Sequence, residues 1–336
     1  MSNKLGIQVK DGVMYIDGTP IGGGGGGVHN TFRKIVVYGT SIEVTPAPNN
    51  VWNPCWPMRL AAALGLSYHR GTGVGTNTGV INYGKGGGGV TWYGQSSATG
   101  SAYKDNILAG FSCTQQEKQD VADYFVSQGY MTAEDVAAAK NDERWNLGYE
   151  KSVLEEEDVD LYIFGTYGIN DRQTWMKWTD TNGNEQTAYT VFGEPDNSGN
   201  NPSEPDPDLS FDRRTIYGAY NHVLRALYQQ NPNAKVVILG QHTRQWEYLD
   251  TINSIQRAVA EKWQIPFADW GNHLSLNDIW KKATKQDTTY LGDITMTLYQ
   301  NDAVHLRKQG AELMGKWVAE WITNTELKPL NPRWTL

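Results

Sequence analysis

The chain has 336 residues, a formal net charge of -8 and a sequence pI near 5.3. Its Lys and Arg residues form no basic run, and phosphate binding needs clustered positive charge, so nucleic acid is excluded as an expected partner. No apolar stretch reaches about 18 residues, so no membrane-spanning helix is predicted. Cys55 and Cys113 are far apart in sequence, and we expect buried free thiols rather than a disulfide or zinc framework.

The N-terminal segment carries a hairpin pattern. Residues 5–21 alternate apolar and polar side chains around Asp11-Gly12, which predicts a β-hairpin. The six glycines Gly22 to Gly27 indicate a flexible linker rather than a phosphate-binding loop, because no Lys-Ser/Thr pair follows them. The hairpin is a candidate for docking into a homo-oligomer or a larger assembly. The predicted domains are a hairpin and glycine-rich linker at 1–30, a catalytic domain at 31–325 and a C-terminal tail at 326–336.

The first residues, Met1 to Gly6, lack the apolar core of a secretory signal peptide. Two interpretations fit this observation. Either the protein is made without Sec export, as a cytoplasmic or virion-associated protein, or a leader has been removed from a secreted one.

The first predicted strand of the main domain leads to a serine. Ile35 to Val37 is a β-branched run typical of a buried strand, and the chain breaks at Gly39 into Thr40 and Ser41. Ligands bind at the carboxyl ends of parallel strands in open α/β sheets. Ser41 is therefore a candidate nucleophile, which would need a base, an orienting acid and donors for an oxyanion.

The next two predicted strands also end in loops with candidate functional groups. Val80 to Gly84 is predicted as a strand that ends before the glycines Gly86 to Gly89, whose backbone N–H groups can approach a ligand closely. A loop without ligand contacts fits this composition equally well. Val159 to Gly165 is predicted as a strand that is followed by Asn170.

Strands and helices alternate over most of the chain. This alternation predicts an α/β fold with a parallel, doubly wound sheet and crossover helices. Residues 173–211 are a long excursion that could form a lid or a specificity wall, with a hairpin turn predicted at Asn182-Gly183. The helices are predicted at 56–66, 115–128, 136–140, 149–156, 212–230, 249–263 and 307–322, and two more strands at 234–239 and 265–270.

An acidic residue and a histidine lie three residues apart before the last predicted helix. Asp302 could accept a hydrogen bond from one imidazole nitrogen of His305 and leave the other nitrogen as a base. For this pair alone, an N-capping Asp beside an incidental surface His is the more economical interpretation. His242, which follows another strand, is a competing base.

Taken together, four segments resemble the SGNH hydrolases, also called GDSL-like esterases, over about residues 33–323. The resemblance implies a three-layer flavodoxin-like fold, in which helices flank a central parallel sheet, with insertions near 100–150 and 173–211. It also implies that no metal or organic cofactor is needed. The matching segments are Gly39-Thr40-Ser41-Ile42, Asn82-Tyr83-Gly84-Lys85-Gly86-Gly87, Gly168-Ile169-Asn170-Asp171 and Asp302-Ala303-Val304-His305.

The resemblance also implies a role for each site residue. Ser41 would be the nucleophile, His305 the general base and then acid, and Asp302 the acid that orients the histidine. The backbone N–H groups of Ser41 and Gly87, with the side-chain amide of Asn170, would bind the oxyanion.

Three positions leave alternatives open within this assignment. Thr40 stands where the family usually has Asp, a residue outside the triad. Any of the glycines from Gly86 to Gly89 could replace Gly87 as the donor. His305 is preferred to His242 because only His305 has a carboxylate at the required spacing and because the family motif selects it.

The expected function is a serine esterase that removes O-acetyl or similar small acyl groups from carbohydrate. The 13 Trp and 18 Tyr residues, against 7 Phe, suit partly wet sugar-binding surfaces, although core packing explains most aromatics in any protein. A lipase or lysophospholipase is ranked lower because the loops are polar. A structural or sugar-binding virion or fibre protein that retains the fold is a further alternative. The candidate substrate-binding residues are Arg172, Trp175, Arg244 and Trp246, for which ordinary packing and salt bridges are an equal alternative.

Overall fold

A computed structural model gives the architecture of the chain. The backbone alone is described for the short strands at 7–10, 13–16, 19–20, 178–179 and 185–186. The other described residues are 30–44, 55–71, 78–92, 108, 110–127, 129, 131–171, 213, 215–241, 248–269, 271, 306 and 308–331.

The main structure is a six-stranded sheet in which every pair of neighbouring strands is parallel. Its strand order is β11-β10-β7-β4-β6-β5. Without the edge strand β5, the remaining strands follow the order 2-1-3-4-5 of flavodoxin-like folds. The strands are β4 (Lys34–Tyr38), β5 (Tyr68–Arg70), β6 (Gly79–Asn82), β7 (Leu161–Phe164), β10 (Val236–Leu239) and β11 (Phe267–Ala268).

Helices cover this sheet, so its central strands are buried at every position. Burial on both faces explains why these strands read as continuous apolar runs. Helix α1 (Trp56–Leu64) packs against helix α6 (Lys308–Asn324), and helix α4 (Ile216–Gln230) packs against helix α5 (Tyr248–Trp263). The helices are α1 (Trp56–Leu64), α2 (Gln115–Ser127), α3 (Ala133–Lys140), α4 (Ile216–Gln230), α5 (Tyr248–Trp263) and α6 (Lys308–Asn324).

Helix α1, which follows the Ser41 loop, has clear start and stop signals. Pro57 lies in its first turn, where its fixed φ suits a helix and its missing N–H is not needed. Gly65 ends the helix in the left-handed conformation at φ 69°, and its N–H donates to the last turn. The helix predicted at 56–66 is therefore confirmed.

The predicted α/β fold with a parallel sheet is confirmed. The predicted N-terminal hairpin is formed by β1 (Ile7–Lys10) and β2 (Val13–Ile16), and β3 (Thr19–Pro20) completes a three-stranded antiparallel sheet. Two details differ from the prediction. Strand β5 lies in a polar segment that the sequence analysis did not predict as a strand. The segment predicted as a helix at 149–156 is a π-helix at Glu150–Leu154.

The segment between β6 and β7 forms a small core of its own. Trp145 and helices α2 and α3 contribute to this cluster, which is separate from the main core. Helix α3 begins with a capping box, in which Thr132 and Asp135 each accept a hydrogen bond from the other's backbone N–H. Both cysteines are buried free thiols, as predicted. The apolar members of the cluster are Leu108, Ala122, Phe125, Met131, Val136, Ala139 and Trp145.

Two short strands within the 173–211 excursion, β8 (Trp178–Thr179) and β9 (Glu185–Gln186), pair antiparallel. This pairing agrees with a hairpin at the predicted position.

Among the helices in the described part of the chain, none combines the length and apolar character that crossing a membrane requires.

Candidate active site

The candidate nucleophile lies in a tight turn at the carboxyl end of β4. The N–H of Val44 donates to the carbonyl of Ser41 at 3.2 Å, and the N–H of Glu43 donates to the carbonyl of Thr40 at 3.2 Å. The Thr40 hydroxyl accepts from the N–H of Ile42 at 3.3 Å. Thr40 is fully buried, whereas Ser41 is partly exposed. Thr40 thus stabilises the turn that presents Ser41.

The glycine cluster after β6 forms a second tight turn. The N–H of Gly88 donates to the carbonyl of Lys85 at 3.0 Å and closes the turn. Gly87 occupies its third position at φ 72°, which L side chains rarely adopt. The N–H of Lys85 donates to the carbonyl of Gly39 at 3.1 Å, so this turn is tied to the loop that carries Ser41.

The hydrogen bonds distinguish two of the candidate glycine donors. The Gly88 N–H is used to close its own turn, and Gly88 is buried. Gly87 is partly exposed, and its N–H has no acceptor among the described residues. Gly87 is therefore better suited than Gly88 to donate a hydrogen bond to a ligand.

Asn170 is joined to the glycine turn from the loop after β7. Its side-chain amide donates to the carbonyl of Gly88 at 2.9 Å, and the residue is partly exposed. An amide carries two hydrogens, and within the described residues the second has no acceptor. One N–H of Asn170 is thus held in place by the glycine turn while the other remains able to bind an oxyanion.

Asp171 connects the segment that follows the glycine turn with the loop that carries Asn170. Its fully buried carboxylate accepts from the N–H groups of Val90 at 3.1 Å, Thr91 at 2.8 Å and Gly168 at 3.0 Å. Burial raises the pKa of Asp171, and these hydrogen bonds offset part of that rise. Asp171 ends the segment Gly168-Ile169-Asn170-Asp171, and the sequence alone predicted no role for it.

Glu43 is the main feature of the site that the sequence analysis missed. The residue is fully buried two positions after Ser41. Its carboxylate accepts from the Thr40 N–H at 2.6 Å, the Trp56 indole N–H at 3.2 Å and the Thr166 N–H at 3.1 Å. Burial raises the pKa of Glu43, and the same donors counteract part of the rise.

The structure brings together three of the five residues predicted to perform catalysis. Ser41, Gly87 and Asn170 lie on three loops that hydrogen bonds connect. Asp302 and His305 lie outside the described residues. The competing base His242 and the candidate substrate-binding residues also lie outside them, namely Arg172, Trp175, Arg244 and Trp246.

Helix α6, which follows the predicted base, packs near the start of α1. A Cβ atom on Gly315 would lie 2.7 Å from the Trp56 carbonyl oxygen and 2.5 Å from the Arg59 Cβ, so the two backbones are in close contact there. Gly315 is seven residues beyond Lys308, the first residue of α6, a length of about 10 Å along a helix. Trp56 in turn contacts Glu43 beneath the Ser41 loop.

No family model matches this chain, and no curated protein matches it. Among solved structures, a protein from Lactobacillus plantarum is 12% identical with a TM-score of 0.44, and the match covers 88% of this chain and 98% of that one. A protein of Bacteroides ovatus named a GDSL-like lipase is 11% identical with a TM-score of 0.43, covering 88% and 100%.

A third solved structure is a variant of an acetyl-xylooligosaccharide esterase from Geobacillus. It is 14% identical with a TM-score of 0.37, and the match covers 86% of this chain and 94% of that one. These three are likenesses at low identity. The fold of this chain is established by its own strand order.

Proposed function

We propose that this protein is a serine esterase that hydrolyses small acyl esters, with O-acetyl groups on carbohydrate as the substrate class. The observation that carries the proposal is the joining of three strand-end loops by hydrogen bonds. These loops present Ser41, the Gly87 N–H and one N–H of Asn170 as partly exposed groups above buried supports. A nucleophile beside two oxyanion donors is the arrangement that acyl transfer needs.

The proposed reaction has two steps. The Ser41 hydroxyl oxygen attacks the ester carbonyl carbon while its proton passes to His305, whose ring is oriented by Asp302. The negative oxygen of the tetrahedral intermediate is held by the N–H groups of Ser41 and Gly87 and by the Asn170 amide. As the intermediate collapses, the sugar hydroxyl leaves with the proton from His305 and the acyl group stays on Ser41.

In the second step, water replaces the sugar hydroxyl. His305 takes a proton from the water as its oxygen attacks the acyl-enzyme carbonyl, and returns it to the Ser41 oxygen as the carboxylic acid leaves. Protein groups supply every proton transfer.

The test compares wild-type protein and Ser41→Ala on three substrates. These are an acetylated xylooligosaccharide, a short p-nitrophenyl ester and a long-chain p-nitrophenyl ester. The proposal expects acetate release from the oligosaccharide and hydrolysis of the short ester by wild type, little activity on the long ester, and loss of all activity in Ser41→Ala. A preference for the long ester would support a lipase instead. Equal inactivity of the two folded proteins on every substrate would overturn the esterase proposal.

A further inference from the structure

Glu43 is hydrogen-bonded, through its carboxylate or its backbone carbonyl, to residues in or directly before all three loops that carry the proposed oxyanion donors. Its side chain accepts from Thr40 in the Ser41 loop and from Thr166 in the Asn170 loop. Its backbone carbonyl accepts from the Asn82 side-chain amide at 2.6 Å, at the end of the strand that leads into the glycine turn. One residue therefore connects the ends of the three adjacent strands β6, β4 and β7.

The donors around this carboxylate are all neutral groups that suit an acceptor with two oxygens. The backbone N–H groups of Thr40 and Thr166 and the indole N–H of Trp56 can only donate. One carboxylate oxygen accepts from Thr40, and the other accepts from Trp56 and from the Thr166 N–H. A glutamine would offer one acceptor oxygen and would direct its NH₂ group at an N–H donor on the other side.

Three glycines make room for the Glu43 side chain. A Cβ atom on Gly39 would lie 2.2 Å from a Glu43 carboxylate oxygen, and one on Gly165 would lie 2.4 Å from the other oxygen. A Cβ atom on Gly84 would lie 2.5 Å from the Glu43 Cβ. Each glycine closely follows the end of one of the three strands, so all three strand ends are shaped around the same side chain.

Glu43 also determines the direction of the Ser41 N–H. The Thr40 N–H donates to the Glu43 carboxylate at 2.6 Å, and the Thr40 carbonyl accepts from the Glu43 N–H at 3.2 Å. The Thr40 carbonyl and the Ser41 N–H belong to one planar peptide group. Fixing the backbone of Thr40 on both sides therefore fixes where the Ser41 N–H points.

We propose that Glu43 is a positioning residue that aligns the Ser41 N–H with the glycine and asparagine donors of the oxyanion hole. This inference rests on the proposed esterase function and extends it. Glu43 acts from beneath the loop through Thr40, Thr166 and Trp56. Oxyanion donors are effective only near their productive geometry, so a small displacement of the loop lowers the rate of the chemical step more than substrate binding.

The test is Glu43→Gln, with Glu156→Gln as the matched control. Glu156 is a second buried glutamate that pairs with Lys34 at the opposite end of β4, and its other oxygen accepts from the Tyr83 hydroxyl, a bond that a glutamine oxygen can also accept. On a short acyl ester, Glu43→Gln is expected to lower kcat by about 10- to 100-fold and to change KM by less than about 3-fold. Glu156→Gln is expected to lower the melting temperature and to leave the kcat of the folded protein within about 2-fold of wild type.

A purely structural role for Glu43 predicts a different result, in which Glu43→Gln lowers only the melting temperature and its kcat equals that of wild type. That result would overturn the inference. Ser41→Ala is measured in parallel, because loss of activity there with unchanged kcat in Glu43→Gln would refute the role of Glu43 and leave the esterase proposal intact. If Ser41→Ala is as active as wild type, the esterase proposal itself fails.

A second variant decides the question if Glu43→Gln does not fold. Thr166→Val keeps the shape of the residue and its backbone N–H but removes the hydroxyl that contacts the Glu43 carboxylate at 3.0 and 3.1 Å. It is expected to lower kcat by about 3- to 10-fold with little change in KM. An unchanged kcat in folded Thr166→Val would contradict the inference.

Discussion

The two ends of the central sheet hold their buried carboxylates in different ways. At the amino end, Glu156 forms an ion pair with Lys34 at 2.5 Å, and both side chains are buried. The Tyr83 hydroxyl also donates to the Glu156 carboxylate, so the contacts of this carboxylate within the described residues are all with side chains. At the carboxyl end, Glu43 and Asp171 accept hydrogen bonds from backbone N–H, indole and hydroxyl groups, all of them neutral.

This difference follows from what each end has to achieve. The contacts of Glu156 join side chains to one another and stabilise the fold without fixing the backbone of a loop. A carboxylate bound by backbone N–H groups fixes the main chain of several loops at once, with the geometry set by hydrogen-bond directions. We therefore expect changes at the amino end to affect stability, and changes at the carboxyl end to affect the rate of catalysis.

The largest effect is expected from Lys34→Met at the amino end. It leaves Glu156 buried without its cation, which should lower the free energy of unfolding by about 3–5 kcal/mol. The kcat of the folded protein should not change. Urea unfolding and ester hydrolysis measure the two quantities. Arg33→Met is the control, because the Arg33 side chain is 78% exposed in its pair with Asp160 and should contribute less than about 1 kcal/mol. A large loss of kcat in folded Lys34→Met would contradict the division between the two ends.

At the carboxyl end, Asn170→Ala should have the largest effect on catalysis. Removal of one oxyanion donor typically lowers kcat by about 100- to 1000-fold. Stability should change by only about 1 kcal/mol, since the variant loses one hydrogen bond to Gly88. Steady-state kinetics and urea unfolding on the same preparation check both expectations. A variant that loses stability but keeps its kcat would assign Asn170 to the fold alone.

Two neighbouring glycines offer a matched pair for the next prediction. Gly87 has φ 72°, so Gly87→Ala should introduce about 1–2 kcal/mol of backbone strain and displace the proposed donor, lowering kcat by about 10-fold. Gly86 has no atom within 4 Å of a built Cβ, so Gly86→Ala should leave activity unchanged. The two variants are compared by kcat on one short ester. Equal kcat values for both would argue against Gly87 as the donor.

The smallest expected effect is the change with pH in the contributions of Asp171 and Asp160 to the free energy of unfolding. Burial raises the pKa of Asp171 above its ordinary value of 3.8, so its contribution is fully present below the unfolded-state pKa and is lost as pH rises through the folded-state pKa. Burial also raises the pKa of Asp160, but hydrogen bonds from Arg33 and Lys34 outweigh it and leave that pKa below 3.8. The contribution of Asp160 is therefore present above the unfolded-state pKa and is lost as pH falls.

These opposite signs can be measured with Asp171→Asn and Asp160→Asn. The difference in unfolding free energy between wild type and Asp171→Asn should shrink as pH rises from about 3.8. The corresponding difference for Asp160→Asn should level off above the unfolded-state pKa of about 3.8 and should shrink as pH falls below it. Urea unfolding at several pH values gives both slopes. Slopes of the same sign would contradict the electrostatic contrast between the two carboxylates.

Sequence patterns predicted the sheet because its central strands carry their own signal. Ile35 to Val37 is a continuous apolar run, which is what a strand buried on both faces requires. Strand β5 gave no such signal, since Tyr68, His69 and Arg70 are only partly buried at the edge of the sheet. Strand β5 forms by pairing with β6, and this tertiary contact leaves no pattern in the local sequence of β5.

The support beneath the site could not be predicted for a related reason. Acidic residues next to loops usually lie on the surface, so Glu43 carries no local sign of burial. Its environment exists only when Gly39, Gly84 and Gly165 meet after folding, and these belong to three different strand ends. The motif positions of Ser41 and Asn170 were recognisable because they occur as short local segments.

The central claim is that Ser41 is the residue that becomes acylated. The direct measurement is rapid acid quenching of the protein with p-nitrophenyl acetate, followed by peptide mapping by mass spectrometry. We predict one acetyl group on the peptide that contains Ser41, and none in that peptide from Ser41→Ala. An acetyl group on another residue of a protein that turns over, or turnover that continues unchanged in Ser41→Ala, would contradict the account.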